Sequence, residues 1–183
     1  MHPDLTDPQN PVESAVRAKF GDAVVERDGF RGDLTLVVKR DQLIEILTFL
    51  RDDPQLKFDL LVDVTAVDWP EREPRFDVLY WACSTSMALW ARIVTRVKDG
   101  EACPSAVGVW PGANWMEREV YDLMGVPFEG HPDLRRILCP DDWEGHPLRK
   151  EYPVGREEVA FTHNLHTYKP RPVNISPDYK DAY

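Results

Sequence analysis

Between Phe58 and Val97 the chain repeats apolar side chains at alternate positions in three successive runs, and a period of two is the signature of β-strands buried on one face. Phe58, Leu60, Val62, Val64 and Ala66 alternate with Asp59, Asp63 and Thr65. Phe76, Val78, Tyr80 and Ala82 repeat the pattern after the Pro70 to Pro74 turn, and Leu89, Ala91, Ile93 and Val97 share a face opposite Arg92 and Arg96. With Ser84-Thr85-Ser86 turning the chain between the last two runs, three long antiparallel strands are expected as a rigid centre. Upstream, Val12 to Phe20 suits a helix, and Ala23 to Arg27 and Leu34 to Lys39 suit strands around the turn signals Asp28-Gly29 and Gly32-Asp33. From Asp41, read as an N-cap, Leu43, Ile46, Leu47 and Leu50 recur at helical spacing until Asp52-Asp53-Pro54 ends the run. The order helix, two strands, helix, three strands defines an α+β fold with helices covering a sheet.

At 183 residues and 43% hydrophobic content the chain can bury one sizeable core, so a single domain with an appended tail is expected. A formal charge of -10 argues against nucleic acid or an anionic membrane surface as a partner, since both are held by positive charge. The N-terminal His2-Pro3-Asp4-Leu5-Thr6-Asp7-Pro8 has neither a basic nor an apolar stretch, and nowhere do the roughly 18 consecutive apolar residues of a membrane span occur. A cytoplasmic protein is expected. Cys83, Cys103 and Cys139 are widely spaced and odd in number, which argues for reduced thiols and leaves too few ligands for a four-cysteine iron-sulfur cluster.

Beyond Lys98 the pattern changes. Pro104 to Val109 is compatible with a short helical segment, and after Pro111-Gly112-Ala113 the pair Asn114 and Glu117 has the form of a capping box. A helix from about Trp115 to Met124 follows, with Met116, Val120, Leu123 and Met124 as its apolar stripe and Gly125 just past its end. A first domain is accordingly expected over residues 1–125 and an extended tail over 126–183. The tail holds eight of the sixteen prolines (Pro127, Pro132, Pro140, Pro147, Pro153, Pro170, Pro172 and Pro177), which forbid long regular elements. Yet Phe128, Leu134, Ile137, Leu138, Trp143, Leu148, Tyr152, Phe161 and Tyr168 make it too apolar for a plain linker, so it is expected to wrap a partner.

Candidate chemistries in this region are weak. His131, Cys139 and His146 offer metal-ligand types, but their spacing with His163 and His166 fits no zinc module, and a metal-dependent hydrolase built on His131, His146 and nearby acids stands as the alternative of another class. Glu117 and Glu119 sit at i and i+2, on different faces of a helix, and cannot act jointly on one bond. Arg135-Arg136 and Arg149-Lys150 are interspersed with Asp133, Asp141, Asp142, Glu144 and Glu151, which points to ion pairs rather than a phosphate cradle, and neither a Walker lysine motif nor GxGxxG occurs.

Glu117-Arg118-Glu119, Asp122-Leu123, Gly125, Phe128, Gly130-His131-Pro132, Leu134, Arg136-Ile137-Leu138, His146-Pro147-Leu148-Arg149-Lys150 and Tyr152-Pro153 together closely resemble the 30 kDa subunit of respiratory complex I, the proton-translocating NADH-quinone oxidoreductase. The match is dense from about 114 to 155, and the preceding element order agrees with the mixed β-sheet the family implies. The resemblance implies a structural subunit of the hydrophilic arm that holds no flavin or iron-sulfur cluster, with FMN, iron-sulfur clusters, NADH and quinone handled elsewhere in the assembly. It implies, as partners, the large quinone-site subunit and the cluster-bearing subunits, no nucleic acid, and attachment to the cytoplasmic side of the inner membrane only through the complex. Equivalent subunits occur in membrane-bound hydrogenases and ferredoxin-dependent relatives. Under this reading Glu117, Arg118, Glu119, Asp122, Phe128, His131, Arg135, Arg136, Trp143, His146, Leu148, Arg149, Lys150 and Tyr152 form a subunit interface, without catalytic, cofactor-binding or metal residues of the chain's own.

Overall fold

The computed structural model describes residues 10–30 and 33–153. Helix α1 (Pro11–Phe20) starts with Pro at its first position and the Asn10 side chain accepting from the Val12 and Glu13 amides at 2.9 and 3.4 Å. Strands β1 (Val24–Phe30) and β2 (Asp33–Val38) form an antiparallel pair, helix α2 (Leu43–Asp52) follows, and β3 (Leu60–Asp68), β4 (Phe76–Ser84) and β5 (Leu89–Val97) form an antiparallel meander. The sheet order is β1-β2-β5-β4-β3, and β2 lies parallel to β5, so the sheet is mixed. The expected element order and fold class are both found.

Four local expectations are corrected. The β1–β2 pairing runs on to Phe30 opposite Asp33, so Asp28-Gly29 lies within a strand and the reversal falls at residues 31–32. Asp41 sits inside a 3-10 turn, Arg40–Gln42, and α2 begins without a side-chain cap. Residues 105–109 form turns, closed by the Val109 and Trp110 amides donating to the Ala106 carbonyl, instead of a helix. In β3 the register slips between Leu61 and Asp63, so Val62 is an extra residue and the buried phase becomes Leu61, Val64 and Ala66, leaving Leu60 47% and Val62 40% exposed.

All three helices and the 98–128 segment pack into one core with Leu34, Leu36, Val64, Phe76, Val78, Tyr80, Ile93 and Val97. Helix α3 (Ala113–Met124) lies against β3. The segments on either side of α3 are tied by a short parallel pair, β6 (Cys103–Pro104) and β7 (Phe128–Glu129), in which the Cys103 amide donates to the Pro127 carbonyl at 2.8 Å and the Ser105 amide to Glu129 at 2.9 Å. The first compact unit extends through Glu151, so residues 126–151, expected in the tail, belong to this folded body. The second unit begins at Tyr152, and the expectation that the tail wraps a partner, with Phe161 and Tyr168, falls on residues outside the described ones.

Candidate functional site

Of the residues singled out, Arg118, Asp122, His131, Arg136, His146, Leu148 and Arg149 meet at α3, where they fasten a proline-rich strap, residues 130–151, along the helix. The C-terminal end of a helix leaves its last carbonyls without helical partners. Here the strap supplies them: the Asp122 carbonyl accepts from His146 Nδ1 at 2.8 Å, the Leu123 carbonyl from the Leu148 amide at 3.0 Å, and the Met124 carbonyl from Arg149 Nε at 2.7 Å. Arg149 also reaches the Gly125 carbonyl at 3.4 Å and pairs with Asp99 at 3.0 Å, placing a cation at the negative end of the helix dipole. Gly125 closes α3 in the left-handed region at φ 73°, as its position in the sequence predicts.

Asp122 is the central anchor. Its carboxylate is fully buried; Oδ1 accepts from Arg136 Nη1 at 2.8 Å, and Oδ2 from the amides of Ile137, Leu138 and Cys139 at 3.0, 2.8 and 2.8 Å. Burial alone would raise its pKa, but the three amides and the guanidinium outweigh it and hold the carboxyl down at about 2. Arg136 continues to the carbonyls of Trp143 and Gly145, both at 3.0 Å, so one guanidinium gathers two turns of the strap. Arg118 donates to the carbonyls of Arg135 and Arg136 at 3.1 Å and stands over Trp115 at 5.1 Å. Farther along, Asp68 takes a bidentate Arg75 at 2.6 and 2.8 Å and the Lys150 amide at 2.9 Å, and Arg75 also pairs with Glu151.

Glu117 does not cap the helix, and the capping box is corrected: α3 starts at Ala113 with no side-chain cap, and the Glu117 side chain is wholly buried beneath it. It accepts from the Ala106 amide at 2.6 Å and bonds Ser105 Oγ at 2.6 Å, which ties the turn before α3 to the helix. Burial, only partly offset by these two partners, pushes its pKa up to about 7. Because this folded-state value lies above the ordinary value of 4.5, the folded state binds the extra proton. The stability that Glu117 contributes is full below about pH 4.5 and is lost as pH rises through 7, by about 3 kcal/mol. Denaturant melts between pH 4.5 and 8 are expected to show that decline, and Glu117→Gln, which mimics the neutral form, is expected to flatten it.

The remaining candidates separate clearly. His131 engages both ring nitrogens, Nε2 with the Asn114 carbonyl at 3.1 Å and Nδ1 with the Asp133 amide at 3.0 Å, so Nε2 carries the proton. Glu119 is exposed, and Arg135 pairs with Asp133 at 2.7 Å with its side chain 71% exposed. Phe128 is in the core, Trp143 is half-buried with its Nε1 lacking a partner among the described residues, and Tyr152 belongs to the second unit. Among the described residues no group of three His, Cys, Asp or Glu side chains stands at metal-binding spacing. Sequence reasoning missed Ser105, Asp68, Arg75 and Asp99: Asp99 meets Arg149 across 50 positions and Asp68 the Lys150 amide across 82, while Asp68 and Arg75, seven apart, are paired only by the β3–β4 register.

Among the exposed charges of the strap stand two apolar side chains, Leu138, 62% exposed, and Leu148, 53% exposed, on backbone whose amides are tied down to Asp122 and Leu123. Residues 36–158 match the family described as the 30 kDa subunit of respiratory-chain NADH dehydrogenase. The chain is 47% identical over 165 residues to the C subunit of the NADH-quinone oxidoreductase of Roseiflexus sp. (strain RS-1), a match that covers 87% of this chain and 94% of that one. It is 42% identical over 178 residues to the corresponding NADH-quinone oxidoreductase protein of Agrobacterium fabrum, covering 97% and 89%. Among solved structures, a chain of the membrane-bound sulfane sulfur reductase, an archaeal respiratory membrane complex, superposes with a TM-score of 0.68 at 23% identity over 89% of this chain and all of that one, which establishes a shared fold. The chain belongs to the 30 kDa subunit family of respiratory-chain NADH dehydrogenase, as its motifs from Glu117 to Pro153 suggest. Among the described residues no helix is long and apolar enough to cross a membrane.

Proposed function

We propose that this chain is a structural subunit of the hydrophilic arm of an NADH-quinone oxidoreductase, on the cytoplasmic side of the membrane, bracing the large quinone-site subunit beside the cluster-bearing ones. The observation that carries this reading is the strap fixed to α3, which holds Leu138 and Leu148 outward on backbone that cannot relax away from a partner. Electrons pass beside the chain, since the groups best suited to hold a cofactor are spent on holding the fold: both nitrogens of His131, both oxygens of Asp122 and the buried Cys103 have structural places. FMN, the iron-sulfur clusters, NADH and quinone are bound by other subunits. Glu117, Asp122, Arg136, His146 and Arg149 serve the interface indirectly by shaping it, while Leu138, Leu148 and exposed neighbours such as Glu119 and Arg135 touch the partner.

Leu138→Asp and Leu148→Asp test this directly. Both side chains are exposed, so the isolated chain should lose no more than about 0.5 kcal/mol of stability. A carboxylate forced into an apolar contact should nevertheless prevent assembly, and on native gels the intact complex and its NADH-quinone reductase activity are expected to fall together. Full assembly with activity abolished would assign these positions to catalysis, and full assembly with full activity would remove the strap from the interface.

A further inference from the structure

The helices and the 98–128 segment cover one face of the five-stranded sheet, and the opposite face sets a cluster of large apolar residues among charged ones such as Glu26, Asp63, Asp77 and Arg96. Alternation puts Phe76, Val78, Tyr80, Ala82, Leu89, Ala91 and Ile93 in the core. Their neighbours Leu79, Trp81, Trp90, Arg92 and Val94 therefore point to the other side. The register sets them side by side: Leu79 opposite Val94, and Trp81 opposite Arg92. The bulge in β3 adds the exposed Leu60 to the same sheet edge. Open faces of antiparallel sheets ordinarily alternate to polar residues. Two tryptophans and an arginine on adjacent central strands are instead the residue types that dominate binding hot spots.

The charges say what is missing. Arg96 on this face is matched, bidentate, by Glu26 at 2.7 Å and also meets Asp77 at 3.3 Å, and Arg72 pairs with Asp77. Arg92 forms no ion pair among the described residues, although Asp33 lines the same recess. Its guanidinium lies 4.2 Å over the Trp81 ring, and its buried Nε has no acceptor among the described residues. An aromatic platform orients the cation beside Trp90 and Leu79, with Asp33 at the rim of the same recess and Asp63 across from Trp81.

We propose that this sheet face is a second docking surface, distinct from the strap, and that its occupant is a protein subunit presenting an apolar ridge with one carboxylate opposite Arg92. The inference rests on the chain being part of a multi-subunit oxidoreductase. Docking such a ridge on Trp81, Trp90 and Leu79 excludes water, and the carboxylate takes the guanidinium edge that no acid of this chain occupies among the described residues. Matching Arg92 in a desolvated setting then supplies specificity as well as affinity.

The test uses the complex purified through a tag on the full chain, with a photo-crosslinking residue at position 90 and hydroxyl-radical footprinting of Trp81. A crosslink to a neighbouring subunit, at a segment holding an acidic residue, and protection of Trp81 relative to the free chain are expected. Arg92→Glu should lower incorporation roughly thirtyfold, the scale of a hot-spot residue. Exchanging the crosslinked acid for lysine should restore it. A crosslink only to a second copy of this chain, or a Trp81 equally oxidised in the free chain and the complex, would overturn the docking surface while leaving the family membership and its proposed role intact. A tag that retrieves no other subunit would overturn both proposals.

Discussion

Asp122→Ala is expected to detach the strap and to destabilise the domain by about 3 to 5 kcal/mol, the range for removing one member of a buried ion pair. The carboxylate is fully buried and holds four donors, so its loss strands the amides of Ile137, Leu138 and Cys139 together with one N–H of Arg136. Urea melts of the isolated chain read the loss directly, and an undiminished midpoint would mean that the strap contributes nothing to the fold. The same residue sets an acid limit. Its folded pKa of about 2 lies below the ordinary value of 3.8, so its stabilisation is present above about pH 4 and is lost as pH falls through 2, the reverse of the Glu117 effect and in a separate window. Asp122→Asn, which keeps one acceptor oxygen, should lose less stability than Asp122→Ala and should lack the decline below pH 4.

Gly125→Ala is the second large loss, about 2 to 4 kcal/mol, from two additive causes. At φ 73° a Cβ is strained wherever it points. This one would point into the strap, 2.4 Å from His146 Cδ2 and 2.8 Å from Arg149 Nη2. Neither atom is the loose end of a side chain. The imidazole is held to the Asp122 carbonyl and the guanidinium to Asp99 and Met124, so relief of the clash breaks those bonds. A double-mutant cycle separates the causes: with His146→Ala in place, Gly125→Ala should cost less than it does alone, the remainder being backbone strain. Equal costs in both backgrounds would mean that the strap yields freely at this point. Because the strap carries Leu138 and Leu148, both variants should also impair assembly, whereas the two Leu→Asp substitutions should impair assembly alone.

The strands, the helices and the end of α3 are legible in the sequence because each leaves a periodic or local mark. Phe76, Val78, Tyr80 and Ala82, and likewise Leu89, Ala91, Ile93 and Val97, keep one phase with only Thr95 breaking it, and the face they mark is the one that is buried. Gly125 follows an apolar stripe and ends the helix as expected. Leu60 and Val62 mislead because a bulge changes the phase of a strand without changing its composition. Glu117 misleads for a different reason. Three residues after Asn114 it has the local form of a cap, but its position over Ala106 and Ser105 puts the carboxyl inside the core, and that long-range contact outweighs a cap exposed to solvent. The motif around it is specific enough to indicate the family; it does not reveal that most of its charges serve the chain's own strap.

Alternation, helical spacing and turn chemistry are properties of neighbouring residues, so they are written into the order of amino acids and need no coordinates. The choice of partner for each buried charge is not. Asp68 meets Lys150 across 82 positions and Arg149 meets Asp99 across 50. A hydrogen bond depends on distance in space, and separations of that length leave no pattern along the chain, so only folding brings the two halves of each pair together.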